Sequence, residues 1–207
     1  VRGSNILVGI SMYFLKSSLY KLVFREANTF YADRELFCFK RFIRFLLLQI
    51  GYLKSDKVIA NSSDVKKQLT EKLIFNKKII KIGNPALREN LKELRKIKID
   101  DIWLNNKKIK LLVNVGRLVK QKNQKFLIKE MADLIKMDSS IRLLIIGSGK
   151  EEFELKKLIL ELNLTKFVNI IGFRINHFPY LVNANLFVMS SLYEGFGNVF
   201  VDAASCG

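Results

Sequence analysis

The 207-residue chain reads as an α/β protein with two parallel-sheet units. Three observations predict this. From residue 109 onward, near-continuous apolar runs alternate with amphipathic stretches, the pattern of a parallel sheet covered on both faces. The stretch 86–108, "ALRENLKELRKIKIDDIWLNNKK", is dense in charge and separates two apolar blocks. Glycine stands at or just after the end of several of the apolar runs, at the edge of the sheet where open α/β proteins bind ligands.

In chain order, "NILVGIS" and "KLVFRE" are short apolar runs bounded by polar residues and read as buried strands. Residues 35–53 read as a helix with a basic stripe: Lys40, Arg41, Arg44 and Gln49 interrupt the apolar run "LFCFKRFIRFLLLQIGYL". "KVIANS" is a third strand. "SSDVKKQLTEKL" opens with a Ser/Asp capping signal and carries Val65, Leu69 and Leu73 at helical spacing. "KKIIKIGNP" is a strand ending in a breaker pair. Residues 86–108 read as a connection holding one helical piece. Then follow the strand "IKLLVNVG", the helix "NQKFLIKEMADLIKM", the strand "IRLLIIG", the helix "KEEFELKKLILELNL" and the strand "KFVNIIG". A short helix near "HFPYLVNA", the strand "NLFVMS" and a helix from about Asn198 complete the chain.

Composition narrows the class. With 49% hydrophobic and 27% charged residues the chain is globular, not disordered. Cys38 and Cys206 form neither a disulfide framework nor a metal-binding spacing, so they read as buried thiols in a reducing compartment. No secretory signal opens the chain, and the cations in 35–53 argue against a membrane span, which needs about 20 predominantly apolar residues. The net charge is +17, of which +14 lies in the first 110 residues. Such a surface attracts phosphate polymers and anionic lipid alike, and a generally lysine-rich composition explains part of it. No nucleic-acid-binding motif accompanies the charge, and the aromatics fall mainly at core-like positions, so no nucleic-acid partner is expected.

Four loops at strand ends are candidates for a ligand site: "GRLVKQKN", "GSGKEE", "GFRINHFP" and "SLYEGFGN". The second is neither of two familiar glycine motifs. A dinucleotide fingerprint needs glycine at Glu152, and a P-loop needs glycine at Leu144 and Ser or Thr at Glu151. Gly147 and Gly149 therefore read first as a tight strand-to-helix turn. In the first loop Gly116 leaves room at the backbone, while Arg117 and Lys122 pair a planar fork with a point charge, suited to a diphosphate. Two solvated surface cations remain the plain alternative. In the last loop Glu194 and Asp202 have seven residues between them. If a helix starts near Asn198, both can face one crevice, and carboxylates suit sugar hydroxyls. Ordinary loop and first-turn acids remain open there too.

The stretches "SDKVIANSSDVKKQL", "IGNP", "VGRLVKQKNQKFLI", "LLIIGSGKEEFELKKL" and "VNIIGFRINHFPYLVNANLFVMSSLYEGFGNVFVDAASCG", in this order, resemble family-4 retaining glycosyltransferases of the two-domain GT-B architecture. The likeness is strongest to bacterial enzymes that build surface polysaccharide or lipopolysaccharide. It implies two Rossmann-like domains, both incomplete here: the end of an acceptor domain over 1–84, a connection over 85–108 and the first part of a donor domain over 109–207. It implies that Arg117 and Lys122 hold the diphosphate of a UDP- or GDP-sugar, and that Glu194 is the first acid of an E-x7-E motif, on the donor sugar. Asp202 stands where the family's second glutamate contacts the ribose, one methylene shorter. Gly116 and the backbone of Phe196, Gly197 and Asn198 would line the sugar and phosphate, with Phe173 and Arg174 near the base. Asn185 replaces a usual aspartate and is expected to be structural.

The histidine frequent in the family's N-terminal domain has no match: the corresponding place reads Arg25-Glu26-Ala27-Asn28. His177 is expected to be a helix-flanking surface residue. No metal or cofactor is expected. The implied activity is transfer of a sugar to a glycan or lipid-linked acceptor, in the cytoplasm and at the inner face of its membrane. A nucleotide-sugar-binding module without turnover is the alternative.

Overall fold

The computed structural model describes residues 2–14, 20–29, 38–74, 79–84, 90–99, 101 and 103–207. The chain divides into two units, Val1–Pro85 with Tyr193–Gly197, and Ala86–Leu192 with Asn198–Gly207.

The first unit contains α1 (Arg2–Ser11), β1 (Val23–Glu26), α2 (Cys38–Leu53), β2 (Lys57–Ala60), α3 (Ser63–Lys72) and β3 (Ile79–Lys81). Its sheet is parallel in the order β1-β2-β3, with Phe24 beside Val58 and Val58 beside Ile79. These three side chains, Leu48 and Tyr52 of α2, and Val65 and Leu69 of α3 form one core. The helix read over 63–72 forms for the reason its sequence gives: Ser62 caps it, its hydroxyl accepting from the Val65 amide at 3.2 Å, and Val65 and Leu69 are buried. The helix expected from residue 35 begins at Cys38; residues 30–37 lie outside the described ones.

One element differs from its sequence reading. "NILVGIS" is not a strand; it lies within α1. A short apolar run does not distinguish a period of 2 from one of 3.6. Here Ile6 and Ile10, four apart, pack into the core while Leu7 is 71% exposed. Gly9 lies against the backbone of Gly51 with no room for a Cβ, so α1 and α2 meet backbone to backbone. The Asn5 amide then donates to Arg25 O at 3.1 Å and Glu26 Oε1 at 3.2 Å, and the Tyr52 hydroxyl also donates to Glu26. The buried Glu26 carboxylate is thereby supplied with donors from both helices.

The outer face of α2 exposes Phe39, Phe42, Ile43, Leu46 and Ile50 beside Lys40 and Arg41. No helix among the described residues is long and apolar enough to cross a membrane.

The second unit contains α4 (Leu91–Lys96), β4 (Lys110–Val115), α5 (Gln124–Met137), β5 (Ile141–Ile146), α6 (Glu152–Glu161), β6 (Val168–Ile170), α7 (Phe178–Val182), β7 (Leu186–Phe187) and α8 (Asn198–Ala204). Every strand after residue 109 is where the apolar pattern places one. The sheet is parallel in the order β6-β5-β4-β7. Alternate residues of β5 serve opposite faces: Leu143 and Ile145 join Ile128, Met131 and Leu155, while Leu144 and Ile146 join Tyr180 and Leu181. Burial on both faces is why the strand reads as an unbroken apolar run.

The charge-rich stretch is anchored to this unit. Ile99, Trp103, Leu104 and Ile109 pack against the second of these clusters, and Asn176 Nδ2 donates to Leu94 O at 2.9 Å. Asn185 is structural: its Oδ1 accepts from Leu111 N at 2.7 Å, and its own amide donates to Leu111 O at 2.9 Å, starting the β4–β7 ladder.

Candidate nucleotide-sugar site

Strand order reverses at β4, which has β5 on one side and β7 on the other. The carboxyl ends of strands at such a point are where parallel α/β sheets place ligands. Three loops are tied together beside it. Gly116 N donates to Ile146 O at 2.9 Å, Leu118 N to Ser148 O at 2.9 Å, Glu151 N to Leu118 O at 3.0 Å, and Gly147 N to Gly172 O at 2.9 Å. The glycines of "GSGKEE" are required by this packing more than by a turn. A Cβ on Gly147 would strike Gly116 O, and one on Gly149 would strike the Leu118 carbonyl.

After Leu118, a 3-10 turn over Lys120–Lys122 and a left-handed Asn123 at φ 51° lead into α5. Gln124 is buried and its Nε2 donates to Arg117 O at 3.0 Å, which pins the backbone of the arginine while its side chain stays exposed. The half-buried Lys122 lays its aliphatic stem beside Gly116, with Cδ and Cε 3.6 Å from where a Cβ would stand. The space expected to be left for a ligand at Gly116 is thus bordered by the lysine stem.

The loop after β7 is fastened to this cationic loop. The Ser190 hydroxyl lies 2.9 Å from both Lys122 O and Asn123 O, sharing its proton, and Leu192 N donates to Gln121 O at 2.9 Å. Asn114, buried in β4, donates from Nδ2 to Val188 O at 2.8 Å. Asn114, Gln124 and Ser190 are the residues that sequence reasoning missed. All three are uncharged side chains bonded to main-chain oxygens, and only a polar residue at a buried strand position such as Asn114 hinted at them.

The acidic candidates fall in different units. Glu194 lies in the segment Tyr193–Gly197, which groups with the first unit, as do Phe196 and Gly197. Gly195 there has no room for a Cβ against Ala27 O, to which Asn61 Nδ2 donates at 3.1 Å. Gly197 is left-handed at φ 69°, and Asn198 then opens α8 in the second unit. Phe173 and Arg174 are exposed on the loop after β6.

Asp202 is buried on α8, and its Oδ2 lies 2.9 Å from His177 Nε2. This corrects the reading of His177. It flanks α7 as expected but is only 8% exposed. The run Phe178–Leu181 is entirely buried, so the position just before that helix is interior too. On the same helix end, burial pushes the Cys206 thiol up from its ordinary value, opposed by a hydrogen bond with Ser205 and by Arg95. Among the described residues no group of three or more His, Cys, Asp or Glu side chains is arranged to hold a metal ion.

The family model described as glycosyl transferases group 1 matches residues 95–207. Among curated proteins, the Campylobacter jejuni N-acetylgalactosamine-N,N'-diacetylbacillosaminyl-diphospho-undecaprenol 4-alpha-N-acetylgalactosaminyltransferase is 31% identical over 81% of this chain and 44% of its own length. The capsular polysaccharide biosynthesis glycosyltransferase CapM of Staphylococcus aureus is 30% identical over 80% of this chain and 45% of its own. The chain therefore spans a little under half the length of these two relatives. In fold it is similar to Anabaena HepE, solved in complex with UDP-glucose, with a TM-score of 0.76 at 18% identity over 100% of this chain and 56% of that one. It is also similar to WaaG, a glycosyltransferase involved in lipopolysaccharide biosynthesis, with a TM-score of 0.72 at 16% identity over 89% and 54%. Both units thus have the parallel α/β build of a GT-B type fold.

Proposed function

The chain belongs to the glycosyl transferases group 1 family, and from that premise we propose that the protein transfers a sugar from a UDP- or GDP-sugar to a glycan or lipid-linked acceptor in surface polysaccharide or lipopolysaccharide synthesis, with retention at the anomeric carbon. The observation that carries the proposal is the cationic loop of Arg117 and Lys122, held at the reversal point of the sheet and fastened to the loop that leads to Asp202. The names of the Campylobacter and Staphylococcus relatives support the acceptor class, and the UDP-glucose in HepE supports a uridine donor.

The chemistry follows from where charge develops. Cleaving the anomeric C–O bond leaves its electron pair on the diphosphate oxygen. Fixed cations stabilise that growing charge without reorganising. Arg117 supplies a planar fork for two phosphate oxygens and Lys122 a point charge beside Gly116. Their charge serves in place of a metal ion. Glu194 accepts hydrogen bonds from donor-sugar hydroxyls, and Asp202 from the ribose. The backbone of Phe196, Gly197 and Asn198 lines the sugar and phosphate, and Phe173 and Arg174 flank the base. The exposed apolar face of α2, with Lys40 and Arg41 beside it, rests on the anionic inner leaflet of the cytoplasmic membrane, where each cation contributes roughly 1 kcal/mol.

Radiolabelled transfer by the full-length protein tests the site. Arg117→Ala and Glu194→Ala are each expected to lower turnover by roughly 10²–10³-fold, the usual effect of removing one preorganised group, with unchanged unfolding midpoints. Excess EDTA is expected to leave the wild-type rate unaltered. Wild-type turnover in either variant removes the site assignment, and nucleotide-sugar binding without any transfer leaves a binding module.

A further inference from the structure

His177, the buried partner of Asp202, has no part in the chemistry above. Its geometry is specific. The ring of His177 stacks on Phe178 at 4.9 Å and 20°, and its main-chain carbonyl accepts from Tyr180 N and Leu181 N at 3.2 Å each. Asn176 Oδ1 accepts from Phe178 N at 3.1 Å, which fixes the same turn from the other side. The ring is thus held by its face and by its backbone, with Nε2 aimed at Asp202 Oδ2. A carboxylate oxygen accepts, so Nε2 is the donor in this bond.

That one bond engages one of the two carboxylate oxygens. Among the described residues the side chain of Asp202 has no other hydrogen-bond partner. An aspartate on a helix otherwise samples several rotamers, and a short side chain that must reach a ligand gains from being held in one. The Asp202 side chain is one methylene shorter than the glutamate expected there, so its direction matters more.

Resting on the proposed donor site, we infer that His177 is a positioning residue: by binding Oδ2 it fixes the Asp202 rotamer and leaves Oδ1 for the hydroxyls of the nucleotide ribose. The pair then sets ribose specificity, and it does so from the second unit alone, since both residues lie there.

Calorimetry on the full-length protein with UDP, and with a UDP analogue lacking the 2′ and 3′ hydroxyls, tests this. The wild type should prefer UDP. His177→Phe keeps the ring and its stacking but loses the donor. It should weaken UDP binding roughly tenfold, the effect of about 1.4 kcal/mol, and leave the analogue's affinity unchanged. Donor KM should rise with kcat nearly constant, the pattern of lost uniform binding. His177→Gln, whose amide N–H reaches a similar point, should restore the preference. Should His177→Phe not fold, His177→Asn, whose amide falls short of Asp202, reads the same loss. A His177→Phe protein with a lowered unfolding midpoint but the wild-type preference for UDP makes the pair purely structural and overturns the inference. A wild type that binds UDP and its analogue equally overturns the inference while leaving the proposed donor site standing. A wild type that binds neither UDP nor GDP overturns the proposed donor site, and the inference with it.

Discussion

Substituting Gly149 by alanine separates the structural glycines of the second unit from the one proposed to face a ligand. A Cβ at residue 149 would stand 2.8 Å from Leu118 C and 2.9 Å from Leu118 N, and closer still to Leu118 O. Ordinary contact needs about 3.5 Å or more, and every atom in the way is main chain, so the Leu118 peptide must move. Two hydrogen bonds depend on that peptide, Leu118 N to Ser148 O and Glu151 N to Leu118 O. Each contributes about 1 kcal/mol net, and more where a buried group is left unpaired. Leu118 itself is fully buried in the core of α5 and α6. The expected loss is about 2–4 kcal/mol. Gly116→Ala is the matched control, because its Cβ would meet only the flexible Lys122 stem at 3.6 Å, an ordinary contact. Hydrogen exchange of the amides of 118 and 151, with thermal unfolding, reads the difference. Gly149→Ala should accelerate exchange at both amides and lower the midpoint. Gly116→Ala should leave both unchanged while weakening UDP binding. Wild-type exchange in Gly149→Ala would refute the account of the tied loops.

Asp138 gives a pH test. Lys110 Nζ lies 2.7 Å from Asp138 Oδ2, and the Ser140 hydroxyl and amide donate to Oδ1 at 2.6 and 2.8 Å, which together hold the carboxyl well below the usual carboxylate range. A depressed folded value stabilises the fold above the unfolded value of about 3.9, and that stabilisation fades as pH falls toward the folded one. Asp138→Asn should therefore unfold at lower temperature than wild type at pH 7, with the gap narrowing below about pH 4; a gap independent of pH refutes the linkage. For the membrane proposal, the full-length protein should sediment with vesicles holding anionic lipid and release them at high salt, since exposed charges are screened. Charge reversal at Lys40 and Arg41 should weaken that binding, and equal sedimentation with neutral vesicles counts against it.

Much of this fold was legible because burial on both sheet faces leaves unbroken apolar runs. β4, β5 and β6 lie within the runs that predicted them, and α3 begins after the serine that caps it. The segment α1 was not legible. "NILVGIS" is too short for its period to decide, and its helical state rests on Gly9 meeting Gly51, forty-two positions away in sequence. The cationic loop was visible as residue types, but its fixation was not. Ser190, Gln124 and Asn114 act by reaching main-chain oxygens of other segments, and no local pattern announces such bonds. His177 was misread for a related cause: a polar residue beside a helix is usually solvated, and only its pairing with Asp202 makes burial affordable.

The Gly-Phe-Gly run after Glu194 looks, as a sequence, like a flexible turn between two acids. Its two glycines instead answer separate demands. Gly195 is fixed by the approach of Ala27 O within the first unit, and Gly197 by the left-handed turn that lets α8 begin at Asn198. Between Leu192 and Asn198 the chain leaves the second unit, contributes five residues to the first and returns. Glu194 therefore takes its place from the packing around β1 and β2, whereas Asp202 takes its place from α7 and His177. The seven-residue spacing of the two acids is not a helical register. Each acid is placed by contacts within its own unit, Glu194 by its neighbour Gly195 lying against Ala27 O and Asp202 by its bond to His177.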